Sequence, residues 1–338
     1  MNSDLLNAAV VFANFVLVPG LAYGSQLALG ALGITLVYAV LRFSNFAHGD
    51  TMAFGATFTI LTTWWLQSLG ISLGPLPTAL LALPVGILMA VLLCLGLDRL
   101  VYRHYRSVKS PPVVFVIASV GVMFVTNGLV RLIIGPGEQR FTDGTKFLIR
   151  ARDFKAMTGL NEGLSIKVTQ GLTVLIAFLC MALLFWFLQR TRTGKAMRAY
   201  SDNEDLALLS GIDPQRVVLI TWIIVAALST IAGVLYGLDK SFKPFTYFQL
   251  ILPMFAAAIV GGIGKPLGAI LGGFIIAYSE IMITYAYKKI ARYLGPENWQ
   301  PDSLMQLLGT DYKFAVSFVI LVIVLLWRPT GLLKGSSI

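Results

Sequence analysis

Nine long apolar runs constrain the fold of this chain more than any other feature of its sequence. Each run is almost free of charged residues. They cover residues 21–41, 51–69, 78–97, 113–134, 170–189, 217–238, 248–263, 267–290 and 313–328. A membrane helix needs about 20 apolar residues to cross about 30 Å of hydrocarbon, and it satisfies its own backbone hydrogen bonds there. The runs do not alternate as the strands of a membrane β-barrel do.

The sequence therefore predicts an all-α polytopic membrane protein with about nine (eight to ten) transmembrane helices, some of them discontinuous, in a single domain over 1–338. Charged residues make up only 12% of the chain, about half the density of a soluble domain. Residues 5–18 are apolar but short for a span. We expect them to lie at the interface or to form a tenth helix.

Net charge and the rare residue types exclude several function classes. The net charge of +10 is explained by the basic residues that membrane proteins carry in the loops beside their spans. We therefore expect no nucleic-acid partner. Two cysteines inside apolar runs and two distant histidines indicate neither a disulfide framework nor a metal site. Neither Gly194-Lys195 nor Gly264-Lys265 has the spacing of a phosphate-binding P-loop. We expect no enzyme activity, and no cofactor bound by this chain.

The stretch RFSNFAHGD at residues 42–50 lies between the first two runs. It is either a wet turn at a membrane face or polar machinery inside the protein. Asn45 can both donate and accept a hydrogen bond, and Asp50 can cap a helix that begins near Thr51. His48 can also be satisfied by backbone alone. If the helix break is real, 42–50 should lie in the protein interior.

A second break is predicted where Gly261, Gly262 and Gly264 precede Lys265 and Pro266. Transporters often bind zwitterions at broken helices, and paired interruptions in two parts of a chain point to such a site. We therefore expect 42–50 to face 261–268 along a substrate pathway. The glycines are equally typical of close helix packing.

Glu280 lies near the middle of the run 267–290. An ionisable group there costs at least a few kcal/mol unless it is paired, hydrated or protonated, so it is a candidate for the substrate pathway. An interhelical hydrogen bond that stabilises packing is an equal alternative. Tyr278, Ser279 and Tyr285 are the nearby candidates for its partner.

The polar loops suggest an orientation. Loop 98–110 is the most basic short loop, so we expect it, loop 190–216 and the C-terminus to be cytoplasmic. Loop 135–169 would then be extracytoplasmic, either simply a structured loop or a docking surface. Within 190–216, Ser201 and Glu204 have capping-box spacing, and Gly211 and Pro214 mark a helix end. This pattern predicts a helix at about 202–210, which lies on the membrane or against this protein, or inserts into a partner.

Three motifs in this order resemble the permease subunits of ABC importers for branched-chain amino acids. They are Gly33-Ile34-Thr35-Leu36-Val37-Tyr38 with Leu41-Arg42-Phe43-Ser44-Asn45-Phe46-Ala47-His48-Gly49-Asp50, then Gly194, Ala196, Arg198, Ala199, Asp202, Ala207, Gly211 and Ile212, and then Ala258-Ile259-Val260-Gly261-Gly262-Ile263-Gly264-Lys265-Pro266-Leu267-Gly268-Ala269. The resemblance runs from about residue 20 to the C-terminus.

The resemblance implies a bacterial inner-membrane permease, surrounded by lipid, that pairs with a second permease in a hetero- or homodimer. Two cytoplasmic ATPase subunits, which hold ATP and Mg²⁺, would dock on 190–216, and a periplasmic binding protein would deliver substrate. The residues expected to couple to the ATPases are Gly194, Arg198, Asp202, Glu204, Ala207, Leu209 and Gly211. Alternatives are the same machine carrying amides, urea or another small polar solute, a stand-alone secondary transporter or channel, and a scaffold without transport.

Overall fold

The fold is almost entirely helical in the computed structural model, which describes residues 2–141, 146–295, 303 and 305–333. The helices are α1 (Asn2–Phe12), α2 (Val18–Leu41), α3 (His48–Ser68), α4 (Ala79–Leu97), α5 (Arg103–Ser107), α6 (Pro112–Ile134), α7 (Ala151–Thr158), α8 (Val168–Arg190), α9 (Arg192–Asp202), α10 (Glu204–Leu209), α11 (Pro214–Asp239), α12 (Pro244–Gly261), α13 (Pro266–Thr284), α14 (Lys288–Leu294) and α15 (Lys313–Trp327). Two strands, β1 (Phe147–Ile149) and β2 (Ile166–Lys167), pair antiparallel.

All nine predicted spans correspond to a helix, which confirms the all-α polytopic fold. Seven helical stretches of the described chain are long and apolar enough to cross a membrane. They are Ser3–Leu41, Ala79–Ser107, Pro112–Ile134, Val168–Arg190, Pro214–Asp239, Pro244–Gly261 and Pro266–Thr284. The other two are α3, which has 21 residues but carries more polar side chains, and α15, which has 15.

Residues 5–18 are not a separate helix. A π-helical turn (Ala13–Leu17) joins α1 to α2, so one uninterrupted helix runs over Ser3–Leu41. Its 39 residues extend for about 58 Å, which is roughly twice the thickness of the hydrocarbon layer. The N-terminal part of this helix therefore extends past one membrane face. There Asn7 and Asn14 accept hydrogen bonds from the backbone N–H groups of Glu162 and Ser165, at 3.0 and 2.9 Å.

The long loop predicted at 135–169 is structured. It contains β1, α7 and β2, and its last two residues already belong to α8. Residues 142–145 lie outside the described part of this loop. Because α8 separates this loop from the 190–216 loop by 23 residues, or about 34 Å, the two loops lie at opposite ends of the bundle.

Helix α2 is the centre of the core, and most of its residues are buried on every side. Small residues allow α13 to pack directly along it, since Gly24 lies against Phe274 and Gly273 lies against the backbone of Ala28. Gln26 on α2 also donates to the carbonyl of Leu235 on α11, at 3.4 Å. A helix that is apolar on all sides is typical of such a central position.

Candidate functional site

The stretch 42–50 is a re-entrant helix break in the protein interior. Helix α2 ends at Leu41, Arg42 adopts the left-handed conformation (φ 59°), and α3 begins at His48. The side chains of Asn45, His48 and Asp50 are 3%, 0% and 1% exposed. These values exclude a turn in bulk water.

Contacts with α6 show how far the break reaches into the bundle. The backbone N–H of Phe46 donates to Ser119 Oγ at 3.1 Å. Asn127 Nδ2 donates to Asp50 Oδ1 at 2.6 Å. These two α6 residues follow the start of that helix at Pro112 by about 10 and 22 Å along its axis. The chain therefore climbs from the membrane face toward the middle of the bundle between Arg42 and Asp50.

Asp50 does not cap α3 as predicted. The helix begins one turn earlier, with Ala47 as its N-cap residue, so Asp50 lies within the first turn. Its Oδ1 atom accepts the hydrogen bond from Asn127, while Oδ2 is buried and has no hydrogen-bond partner among the described residues. A buried acceptor without a partner is costly in a folded protein, which makes this oxygen a candidate for binding a ligand donor.

Asn45 and His48 stabilise the break itself. Asn45 Oδ1 accepts from the backbone N–H of Ala47 at 3.1 Å, the side-chain turn that asparagine favours, and from the Tyr102 hydroxyl at 3.4 Å. The His48 ring packs directly on Gly33, where an added Cβ would overlap the imidazole. The close fit accounts for glycine at that point of α2.

The second break is a tight turn between α12 and α13. Gly262 and Gly264 have φ values of 111° and 84°, which other residues rarely adopt. Gly261 and Gly268 lie in backbone contact across the turn, where an added Cβ on either would overlap the other's carbonyl. The C-terminal segment covers it, since the N–H of Leu332 donates to the Val260 carbonyl at 2.9 Å.

The structure does not bring the two breaks together, contrary to expectation. The first break contacts α12 through Phe46, whose ring lies 5.0 Å from that of Phe255, and through Gly49, which lies against Ile251. The nearer of these α12 residues, Phe255, is six residues before Gly261 on the same helix, which corresponds to about 9 Å. The first break therefore forms a site without the glycine turn.

Glu280 belongs to a third location. It lies four residues before the end of α13 rather than in the middle of a span, and it is 1% exposed. Its Oε1 atom accepts a hydrogen bond from Ser317 on α15, so the expected partners Tyr278, Ser279 and Tyr285 are wrong. A cavity of about 120 Å³ adjoins the carboxylate. It is lined by Pro19, Tyr23, Tyr236, Lys240, Glu280, Ile281, Thr284 and Lys313.

The helix predicted at about 202–210 is present as α10 (Glu204–Leu209), and an additional helix, α9, precedes it in the 190–216 loop. Thr191 caps α9, which continues through Ser201, and Asn203 caps α10 by accepting from the Leu206 N–H at 3.0 Å. The predicted Ser201–Glu204 capping box is therefore wrong, because Ser201 is already inside a helix. Glu204 instead accepts from the Tyr200 hydroxyl at 2.7 Å. Burial together with this bond raises the pKa of Tyr200 above its usual range.

The predicted coupling residues divide into buried and exposed groups. Ala207 is buried in a small apolar cluster with Val40, Met197, Tyr200 and Val217, and a Cβ on Gly194 would overlap the Phe187 carbonyl. Arg198, Asp202, Glu204, Leu209 and Gly211 are exposed. Leu209 is 85% and Leu206 is 60% exposed, so α10 carries solvent-exposed leucines on the side away from buried Ala207.

Arg42 connects the break to this loop. Its guanidinium donates to the carbonyl of Ser201 at the end of α9. No pattern in the sequence indicates this pair, since the two residues are 159 positions apart. No pattern in the sequence indicates Asn127 as the partner of Asp50 either, since these two residues are 77 positions apart.

The family model described as "Branched-chain amino acid transport system / permease component" matches residues 16–325. The chain belongs to this permease family. The permease is 31% identical to the high-affinity branched-chain amino acid transport system permease protein LivH of Escherichia coli K12 over 94% of each chain. It is 30% identical to BraD of Pseudomonas aeruginosa over 95% of this chain and 96% of that one.

A more distant relative is the fructose import permease protein FruG of Bifidobacterium longum, which is 24% identical over 80% of each chain. Family membership and the apolar helices make this chain a multi-pass inner-membrane protein and the permease part of an ABC transport system. It works with further subunits of that system.

Proposed function

We propose that this permease forms the substrate pathway of an ATP-driven importer for branched-chain or other apolar amino acids. The observation that carries the proposal is the buried break at 42–50, which joins the free Oδ2 atom of Asp50 to the 190–216 loop through Arg42. A carboxylate oxygen in a low-dielectric site is suited to an α-ammonium group. The apolar surroundings are suited to an aliphatic side chain.

The path that substrate takes would follow the face of α6. Asn127 is only partly buried, and it lies between Asp50 and that face. Nearby side chains of α6 point out of the fold, since Phe124 and Val125 are 66% and 61% exposed. A second permease, identical or related, would cover this face and complete the pathway.

Two ATPase subunits, which bind ATP and Mg²⁺, would dock on α9 and α10. The support is the pair of solvent-exposed leucines on α10, Leu206 and Leu209, because buried Ala207 anchors the same helix to the bundle. Force on these helices would reach the break through the Arg42–Ser201 contact. With the ATPases on this side, 98–110, 190–216 and the C-terminus would lie in the cytoplasm; residues 334–338 lie outside the described chain.

The opposite end of the bundle would receive the periplasmic binding protein. There the projecting helix α1 and the loop between α6 and α8 form a platform, held by the two asparagine contacts of α1. Solute selection would then depend partly on that partner. The same permease fold serves a protein whose name specifies fructose, so a small polar solute is the second candidate.

The test is uptake of radiolabelled leucine by proteoliposomes that contain the permease with and without its ATPase subunits and binding protein. We expect uptake only in the complete system, with competition by isoleucine and valine but not by urea or fructose. Leucine uptake without ATPases would overturn the importer proposal in favour of a stand-alone transporter. Substituting Leu209 by Asp should abolish copurification of the ATPases, whereas Leu148→Asp, at an exposed leucine of the opposite end, should not.

A further inference from the structure

A cationic groove opens at the end of the bundle that carries the 190–216 loop. Its volume is about 620 Å³, and it lies between the end of α4 with α5, the start of α11, and the α9–α10 pair. Arg99, Arg103 and Arg106 line one wall, while Tyr200 and Glu204 line the other. The arginines are four and three residues apart on a continuous helical stretch, so they share one face.

Both acidic residues in the groove already have hydrogen-bonded partners, and Asp98 is paired with a cation. Asp98 accepts two hydrogen bonds from Arg106, at 2.7 and 2.9 Å, and a third from Trp222 Nε1 at 2.8 Å. Glu204 accepts from Tyr200. Arg99 and Arg103 have no ion pair or hydrogen bond with any described residue, so two like charges lie one helical turn apart and neither is bonded to a carboxylate. Such a pair is unfavourable unless an anion lies between them.

An apolar track leads from these arginines into the membrane region. The same face of α4 continues toward the middle of the membrane through Leu88, Leu92 and Leu95. The side chains of Leu88 and Leu92 are 57% and 55% exposed. On α11, Leu219 lines the groove and is 46% exposed. The site therefore has a cationic end at the membrane face and a hydrocarbon-like wall below it.

We propose that this groove binds an anionic phospholipid of the surrounding membrane. The headgroup phosphate would lie on Arg99 and Arg103, since guanidinium groups bind phosphate through paired N–H donors, and one acyl chain would follow the leucine track. Basic recesses between membrane helices suit such headgroups. Charge complementarity favours a lipid over a second protein, because the polar end has unpaired cations and the apolar end is open to lipid.

The position of the groove gives the lipid a second effect. Tyr200 and Glu204 belong to the α9–α10 pair, so a bound headgroup would contact the same helices that Arg42 connects to the break. The lipid would act as a brace between α5 and these helices. We expect the orientation of α10 to be better defined when the lipid is present.

Native mass spectrometry of the purified, assembled complex tests the binding. Nanodiscs contain phosphatidylcholine alone or with phosphatidylglycerol, and the retained lipid is counted for each. We expect selective retention of phosphatidylglycerol by the wild type and a roughly 30-fold weaker retention by Arg99→Gln/Arg103→Gln, or about fivefold for each arginine lost. Arg150→Gln/Arg152→Gln, which removes two exposed arginines at the other end of the bundle, is the matched control and should retain lipid normally.

Three results would overturn the proposal. One is equal retention by wild type and the double variant. Another is displacement of the lipid by inorganic phosphate at low concentration, or phosphate binding in pure phosphatidylcholine nanodiscs, which would identify a free-anion site. The last is lipid retained by the isolated permease but absent from the assembled transporter, which would identify the groove as a subunit interface. Thermal unfolding of the double variant in phosphatidylcholine alone, where it is expected to match the control, separates lipid loss from misfolding.

Discussion

Replacing Asp50 by Asn tests the central element of the proposed pathway with almost no change of shape. The amide keeps an oxygen that can accept the 2.6 Å hydrogen bond from Asn127. It removes the negative charge and replaces the second oxygen, which has no partner among the described residues, with an NH₂ group. The substitution therefore separates the packing role of Asp50 from its proposed role as the acceptor for a substrate ammonium group.

The expected loss follows from the type of bond that disappears. A hydrogen bond to a charged group contributes about 1.5–3 kcal/mol, and about 1.4 kcal/mol corresponds to a factor of ten. Transport efficiency of Asp50→Asn should therefore fall by roughly 10- to 150-fold. Its thermal stability should stay within about 1 kcal/mol of wild type, because a neutral amide replaces a buried carboxylate oxygen that lacks a protein partner.

The assay is ATP-driven leucine uptake into proteoliposomes that contain the complete transporter, with kcat/KM as the measured quantity. Asp153→Asn is the matched control, because Asp153 is an exposed carboxylate of α7. Wild-type kcat/KM in Asp50→Asn would refute the role assigned to the carboxylate. Equal losses of uptake and of melting temperature would assign Asp50 to packing alone.

Three further perturbations address other contacts of the fold. Arg42→Met removes the hydrogen bond to the Ser201 carbonyl. It should lower leucine uptake per ATP hydrolysed by about two- to tenfold, since an exposed hydrogen bond contributes about 0.5–1.5 kcal/mol. Parallel assays of uptake and ATP hydrolysis measure this ratio. Gly272→Ala should lower stability by about 3 kcal/mol in a thermal unfolding assay, because the new Cβ would overlap the backbone carbonyl of Ala257. Glu162 should protect helix α1 from hydrogen exchange at neutral pH and lose this effect in acid. Burial raises the pKa of Glu162, but the hydrogen bonds from Lys289 and Tyr293 lower it by more. The pKa therefore lies below the ordinary 4.5. A depressed folded-state pKa means that the stabilisation is present above the unfolded value and disappears as pH falls through the folded one.

Each of these has a control within the chain. Gly128→Ala, where an added Cβ meets no neighbour, should leave stability unchanged or raise it slightly. Arg42→Lys should restore part of the coupling if charge contributes to the contact with the Ser201 carbonyl. Glu162→Gln should remove the pH dependence of exchange in α1, and unchanged pH dependence would contradict the assignment.

Local patterns in the sequence predicted the helices and the interior position of 42–50. The apolar runs and the polar interruption between them act over a few residues, so they are visible without tertiary information. The glycines at 262 and 264 were also informative, because their positive φ values are a local requirement. The all-α fold needed nothing else.

The errors came from contacts between distant segments and from competition between caps. Ser317, Asn127 and Ser201 were missed as partners because each lies on a helix far away in the chain. The capping box failed for a local reason: Thr191 begins a helix that runs through Ser201, so Asn203 becomes the cap of α10. Ser, Thr and Asn are all favoured at an N-cap, so propensity alone does not decide among Thr191, Ser201 and Asn203.

The central position of α2 has a consequence for biosynthesis. Gln26 on α2 is hydrogen-bonded to Leu235, which lies 209 positions later in the chain. At 5–20 residues per second, Leu235 is translated roughly 10–40 s after Gln26. During this interval α2 is in the membrane with glycines and polar groups that its final neighbours have not yet covered. Assembly of the permease therefore depends on something that shields the first helix, such as an insertion factor or lipid. Variants that weaken the contacts of α2 with α11 or α13 should lower the yield of inserted protein before they affect transport.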